Sequence, residues 1–213
     1  MEIDVFDDDL IIIDNAFSPN IYADIKNIIY SEQFPWKYST TTSSLQAKDG
    51  YSFNEILYFN SELVGVPLNG PPRKHEVSHR VEVAFINALD QLNVKFKDLL
   101  RIRAGLLTRS HNVIDNGPHI DIMQRHMNAL MYFTTCNAPT TIFNEKFNLD
   151  YAKTHNPEDY YRKILGTKVS IKRKVDAIEN RMIVFNGLNY HCSSKPSDVD
   201  VRIAINFNFI TYD

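Results

Sequence analysis

A His-x-Asp pair, His119 and Asp121, stands directly after the turn-forming run Asp115-Asn116-Gly117-Pro118. A further histidine, His191, follows a second Asn-Gly turn at Asn186-Gly187, and an arginine, Arg202, opens the apolar segment beyond it. In an extended segment residues i and i+2 point the same way, so His119 and Asp121 can reach one metal while Ile120 turns into the core. Two imidazoles and one carboxylate occupy one face of a six-coordinate iron and leave its other positions open for substrate and oxygen. The third ligand has to come from another strand, and His191 is placed for that. Arg202 supplies a planar fork of donors that grips a carboxylate bidentately.

These side chains must be held by the elements around them. An apolar run at 10–13 reads as a strand ended by Asp14-Asn15, and Ser18-Pro19 reads as an N-cap with proline in the first helical turn. Ile21, Ile25, Ile28 and Ile29 recur at helical spacing and predict a helix over 19–31. Residues 35–76 are rich in Ser, Thr, Asn, Gly and Pro and read as irregular coil, with a lid over the site as the second reading. A second helix is expected over 75–92, with Val77, Val81, Ala84, Phe85, Ala88 and Leu92 on one face. After it the period changes to two: 100–109, 128–135, 140–147, 168–175, 181–185 and 201–210 all read as strands. Helices followed by many short strands predict an α+β protein with a double-stranded β-helix (a jelly roll, cupin-like) and the N-terminal helices packed outside it. The length of 213 residues suits one domain, with 1–98 as strand and helical support and 99–213 as the jelly-roll core.

On the last strand Arg202, Ala204, Asn206 and Asn208 share one face, and Val201, Ile203, Ile205, Phe207 and Phe209 the other. The apolar set should pack against helices or the other sheet, which turns Arg202 into the barrel, where a cation without a partner is strongly disfavoured. Arg101 and Arg103 share a register that could enter the same space or form a structural salt bridge.

Hydrophobic residues make up 44% of the chain and charged residues 23%, with a formal net charge of -3. That is a soluble globular composition without the basic footprint of a nucleic-acid binder. No apolar run reaches the length of a membrane span, the acidic start is unlike a signal peptide, and Cys136 and Cys192 cannot staple a chain of this size. A reducing cytoplasm is the expected setting.

A rival motif is His75-Glu76-Val77-Ser78-His79, which fits the His-Glu-x-x-His frame of zinc metalloproteases and falls on an expected helix. Its charged flanks, Lys74 and Arg80, and the missing third ligand argue for solvated histidines on a polar helix face. Asp7-Asp8-Asp9 reads as a solvated acidic turn, Lys172-Arg173-Lys174 as an exposed sheet edge, and His111, His126 and His155 as structural or surface residues. Cys192 should point away from the ligands beside it.

The order His-x-Asp, distal His, then Arg on the last strand resembles the 2-oxoglutarate- and Fe(II)-dependent oxygenase superfamily, most of all its small prolyl-hydroxylase-like and phage-type members. The opening strand, Asp14-Asn15-Ala16-Phe17-Ser18-Pro19 and helix resemble how prolyl-hydroxylase-like domains begin. The resemblance implies Fe(II) on His119, Asp121 and His191, 2-oxoglutarate as co-substrate with its distal carboxylate on Arg202, and O2 as oxidant. Tyr132 is a candidate second donor to that carboxylate, or else a core aromatic. The implied reaction is hydroxylation of a C–H bond on a small-molecule or peptidyl substrate, coupled to release of succinate and CO2. A non-catalytic cupin-type jelly roll holding a metal or small ligand is the second reading, and an inward Arg202 is what such a module would not need.

Overall fold

The elements follow one another as β1 (Glu2–Asp7), β2 (Leu10–Asp14), α1 (Pro19–Ile29), β3 (Lys37–Ser39), β4 (Ser52–Phe59), α2 (Ser61–Val64), α3 (Ser78–Gln91) and β5 (Phe96–Thr108). The remaining strands are β6 (Ile114–Asp115), β7 (Met127–Tyr132), β8 (Cys136–Lys146), β9 (Ile171–Ala177), β10 (Met182–Asn186), β11 (Asn189–Lys195) and β12 (Val201–Thr211). This is a computed structural model, and it describes residues 2–7, 10–40, 51–64, 75–150 and 169–212. The strands form an 8-stranded sheet in the order β1-β2-β10-β7-β12-β5-β4-β3 and a 4-stranded sheet in the order β6-β11-β8-β9. All named pairings are antiparallel.

The alternation along β12 decides how the layers stack. Ile203, Ile205, Phe207 and Phe209 join Val81, Phe85, Ala88 and Leu89 of α3 and Ile25 and Ile29 of α1 in one core outside the larger sheet. Phe85 stacks on Phe207 with ring centroids 4.2 Å apart, an aromatic contact that adds about 0.5–1.5 kcal/mol beyond its buried area. Between the sheets lies a second core, where Leu10, Ile183, Phe185 and Ala204 meet Ala138, Ile142, Val175 and Ala177. Two facing sheets with helices outside one of them make the double-stranded β-helix that the period change predicts. Cys192, in a third cluster with Ile120, Phe143 and Tyr190, points away from the cavity as expected.

Local signals set several boundaries as read. Ser18 is the N-cap of α1 with proline in its first turn, and Asn15 takes the left-handed φ of 55° that ends β2. Gly187 closes the β10–β11 turn under His126, whose ring would lie 2.3 Å from an added Cβ. His126 is therefore buried against the turn, whereas His111 is exposed. His155 falls outside the described residues, as do Asp8 and Asp9 of the acidic run.

Two expectations need correction. Residues 35–76 are not simply coil: β4 is a strand of the larger sheet, paired to β5 along its length, and it carries Ser52 and Phe53 to the cavity. Its partly polar sequence hides it because Ser52, Asn54 and Ile56 face the cavity side and a purely apolar pattern is absent. The second helix begins at Ser78 rather than at His75, because Val77 is its N-cap. The residues before 99 thus contribute β1, β2, β3 and β4 to the larger sheet, besides helices.

Candidate metal centre and its cavity

The segment after β6 runs antiparallel to β11, and His119 faces His191 across it: each N–H donates to the other's carbonyl at 3.0 Å. This pairing puts the imidazoles side by side, with centroids 4.7 Å apart. Asp121, two residues on, turns to the same point, and one ligand-capable atom from each of His119, Asp121 and His191 lies within 4.8 Å of the others. Among the described residues this is the one such group.

Both rings are already oriented for a metal. His119 Nδ1 lies 3.0 Å from the Gly117 carbonyl and His191 Nδ1 3.1 Å from that of Asn189, so each Nδ1–H donates to backbone and leaves Nε2 as the lone-pair atom. Burial, with His191 beside it, pushes the His119 imidazole down to about 4 and keeps it neutral, as a ligand must be.

Asp121 sits in a nest of donors. Its Oδ1 accepts from Arg101 Nη2 at 2.7 Å; its Oδ2 accepts from Asn128 Nδ2 and Asn206 Nδ2 at 2.9 Å each and from Asn208 Nδ2 at 3.3 Å. Arg101 is in turn fixed by Asn208 Oδ1 at 2.8 Å. Burial pushes the Asp121 carboxyl up, but the Arg101 guanidinium beside it outweighs this and holds the group well below the usual carboxylate range. The side chains of Asp121 and His191 are 5% and 7% exposed, so these candidate ligands are set into the interior rather than standing at a barrel mouth. The donor set, two fixed Nε2 atoms and one ionised carboxylate, fits a divalent transition metal with open positions.

The cavity beside this group has a volume of ≈ 640 Å³ including its open mouth. Its floor is a row of cross-strand pairs on β5 and β12: Leu107 opposite Arg202, Gly105 opposite Ala204, Arg103 opposite Asn206. Gly105 and Ala204 keep the middle of the floor low. Arg202 is 4% exposed, lays its guanidinium over the Tyr132 ring at 5.4 Å, and donates from Nε to the Ala138 carbonyl at 3.1 Å and from Nη2 to Thr140 Oγ1 at 3.0 Å. It has no acidic partner among the described residues.

Tyr132 is fully buried beneath Arg202 and donates its hydroxyl to Thr140 Oγ1 at 2.7 Å. The burial that pushes its phenol up keeps it protonated as that donor. Thr140 Oγ1 thus accepts from both Tyr132 and Arg202, and its own O–H is left to donate; Thr140 lines the cavity. Thr140, the amides of Asn128, Asn206 and Asn208, and β4 are what sequence reasoning passed over. The inward asparagines on β12 carried a signal, since a buried amide demands partners.

The metalloprotease frame does not form. His75 precedes α3, its ring packs on Phe34 with centroids 5.4 Å apart, and its Nδ1 accepts from the Val77 N–H at 3.3 Å. Zinc ligation by this frame needs both histidines one turn apart on a helix. β9 is an edge strand, and Lys174 pairs with Asp115 at 3.4 Å, in keeping with the exposed-edge reading.

No family model and no curated protein matches the sequence. Solved structures do match in fold. A 2OG-Fe(II) oxygenase family oxidoreductase from Burkholderia pseudomallei has a TM-score of 0.58 at 10% identity over 96% of this chain and 86% of its own. A Trichoplax adhaerens prolyl hydroxylase, solved with a hypoxia inducible factor peptide, gives 0.56 at 14% identity over 95% and 83%. A Pseudomonas putida prolyl-4-hydroxylase gives 0.54 at 10% identity over 96% and 93%. The chain therefore has the fold of the 2-oxoglutarate- and Fe(II)-dependent oxygenases. No helix among the described residues is long and apolar enough to cross a membrane.

Proposed function

We propose that the protein is a 2-oxoglutarate- and Fe(II)-dependent oxygenase that hydroxylates a C–H bond of a small-molecule or peptidyl substrate in the cytoplasm and releases succinate and CO2. The observation that carries this reading is the presence, in one cavity, of a His-Asp-His group with its tautomers set and of Arg202 without an acidic partner. A simple metal-holding jelly roll has no need of the second feature.

In this reading His119 Nε2, His191 Nε2 and the Asp121 carboxylate hold iron, which when bound supplies the one-electron and O2 chemistry. Arg202 takes the distal carboxylate of 2-oxoglutarate through the part of its donor fork that Ala138 and Thr140 leave open. The Thr140 hydroxyl adds a second donor, and Tyr132 acts through Thr140 by fixing which way that hydroxyl points. The Asp121 nest keeps the carboxylate ionised and immobile, so little ordering remains when metal binds.

The test is succinate release from 2-oxoglutarate by the purified protein, with Fe(II) and with a chelator. Iron-dependent succinate formation is expected. Tight iron binding without any 2-oxoglutarate binding or turnover would leave the cupin-type binding module as the correct reading.

A further inference from the structure

Arg103 lines the same cavity as Arg202, at the opposite end of the floor. Leu107, which faces Arg202, is four positions further along β5, or about 13 Å of strand. Among the described residues Arg103 makes no hydrogen bond and no ion pair. The carboxylate that acts on it is Asp121, which is already paired with Arg101 at 2.7 Å. Burial and the like charge of Arg101 push the Arg103 guanidinium down to about 10, the mark of a cation whose charge is poorly compensated where it sits. Directly across the strand pair, Asn206 Oδ1 is buried without a partner.

A further cation lies near residues that line the cavity. Lys195 lies two residues beyond the cavity-lining Ser193 on the same face of β11, is 8% exposed, and lays its Nζ 4.6 Å over the Tyr51 ring. Tyr51 adjoins Ser52, which lines the cavity. Among the described residues lining the cavity, Arg103 and Arg202 face the single carboxylate of Asp121, which Arg101 already pairs. A divalent metal adds positive charge, and in the oxygenase reading both carboxylates of 2-oxoglutarate are taken up by the metal and Arg202. The remaining imbalance sits at Arg103.

We propose that Arg103 is the anchor for an anionic group of the substrate, and that the substrate is a carboxylate-bearing small molecule rather than an uncharged residue within a polypeptide. The guanidinium supplies the carboxylate with a bidentate partner, and Asn206 Oδ1 offers an acceptor beside it for an ammonium or hydroxyl on the same molecule. A free α-amino acid carries both groups. The body of the substrate then lies on the Arg103 side of the metal group, clear of the stretch at Gly105 and Ala204 that 2-oxoglutarate crosses to reach Arg202. This assignment rests on the oxygenase reading for where the substrate lies.

The experiment compares wild type with Arg103→Met and Arg103→Lys. Butyrate and its neutral isostere butyramide are titrated against each protein, with Tm as the readout, both in the metal-free state and with Co(II) and 2-oxoglutarate saturating. In parallel, a panel of free amino acids and their amides is scored for stimulation of succinate release. Wild type should prefer the acid over the amide, and Arg103→Met should lose that preference by roughly ten- to a hundredfold in affinity while retaining Co(II) and 2-oxoglutarate binding. Arg103→Lys should restore part of it. An undiminished acid preference in Arg103→Met overturns the assignment, as does a raised 2-oxoglutarate requirement in that variant, which would make Arg103 part of the co-substrate site. If wild type binds neither metal nor 2-oxoglutarate the oxygenase reading fails, while the metal-free titration still decides whether Arg103 is an anion site.

Discussion

At the His-Asp-His end of the cavity both Asp121 oxygens and both histidine Nδ1 atoms are committed to Arg101, to the amides of Asn128, Asn206 and Asn208, and to the backbone carbonyls of Gly117 and Asn189. At the other end Arg202 donates to Ala138 and Thr140 and still faces the cavity with part of its fork uncommitted. The first region is finished by protein; the second leaves donors open toward the cavity. A metal site benefits from ligands that cannot rotate, because every degree of freedom removed in advance is not lost on binding. In the proposed reading a co-substrate comes and goes each cycle, so its cation cannot be tied to a protein acid.

The sharpest way to break this contrast is to remove a member of the finished region. Asp121→Ala should abolish tight iron binding and also destabilise the fold by about 3 kcal/mol, because it leaves Arg101 charged and buried without its partner. Urea unfolding of the metal-free protein measures it. Unchanged stability would mean that the nest orients nothing.

The unfinished region should answer differently. Arg202→Ala should weaken 2-oxoglutarate binding roughly ten- to a hundredfold, with iron stoichiometry intact, since a charge-assisted hydrogen bond contributes about 1.5–3 kcal/mol. Arg202→Lys should recover a fraction, because one ammonium cannot reproduce the planar fork. Isothermal titration with 2-oxoglutarate reads both variants.

The smallest effect is on the pH dependence of the metal-free protein. The folded state holds the His119 imidazole at about 4 against an ordinary value of 6.5, so between these values the unfolded chain binds the proton and the folded chain does not. Stability should therefore be highest above pH about 6.5 and fall as pH drops toward about 4, by on the order of 1–2 kcal/mol for this partly exposed ring. Tm measured across that window should decline in wild type and decline less steeply in His119→Gln, where the buried His126, also held down by burial, still contributes. A flat wild-type profile would show that the ring is as free to charge as in water.

Much of the site was legible in the chain because the relevant geometry is local. Alternation along β12 places Arg202 on the face of Ala204, Asn206 and Asn208, and the i, i+2 rule aims His119 and Asp121 together with Ile120 buried behind them. The turn run before His119 and the Asn186-Gly187 turn before His191 are equally local. The helix start at Ser78 was misjudged because His75 and Val77 fit a helical stripe on paper; in the fold His75 packs on Phe34 instead. β4 escaped because a half-polar strand beside a cavity has no apolar signature of its own.

What the residues determine by themselves, then, is the period of each element and the direction of its side chains, since both follow from backbone geometry within a few positions. Which partners those side chains meet was decided by register between strands distant in sequence. That His119 lies opposite His191, that Arg101 and not Arg103 takes Asp121, and that Thr140 rather than Tyr132 presents a hydroxyl to the cavity all depend on how the two sheets close over their shared core. A one-residue slip in any of those pairings would turn the same side chains to the opposite face, and the cost of exposing the apolar set is what forbids it.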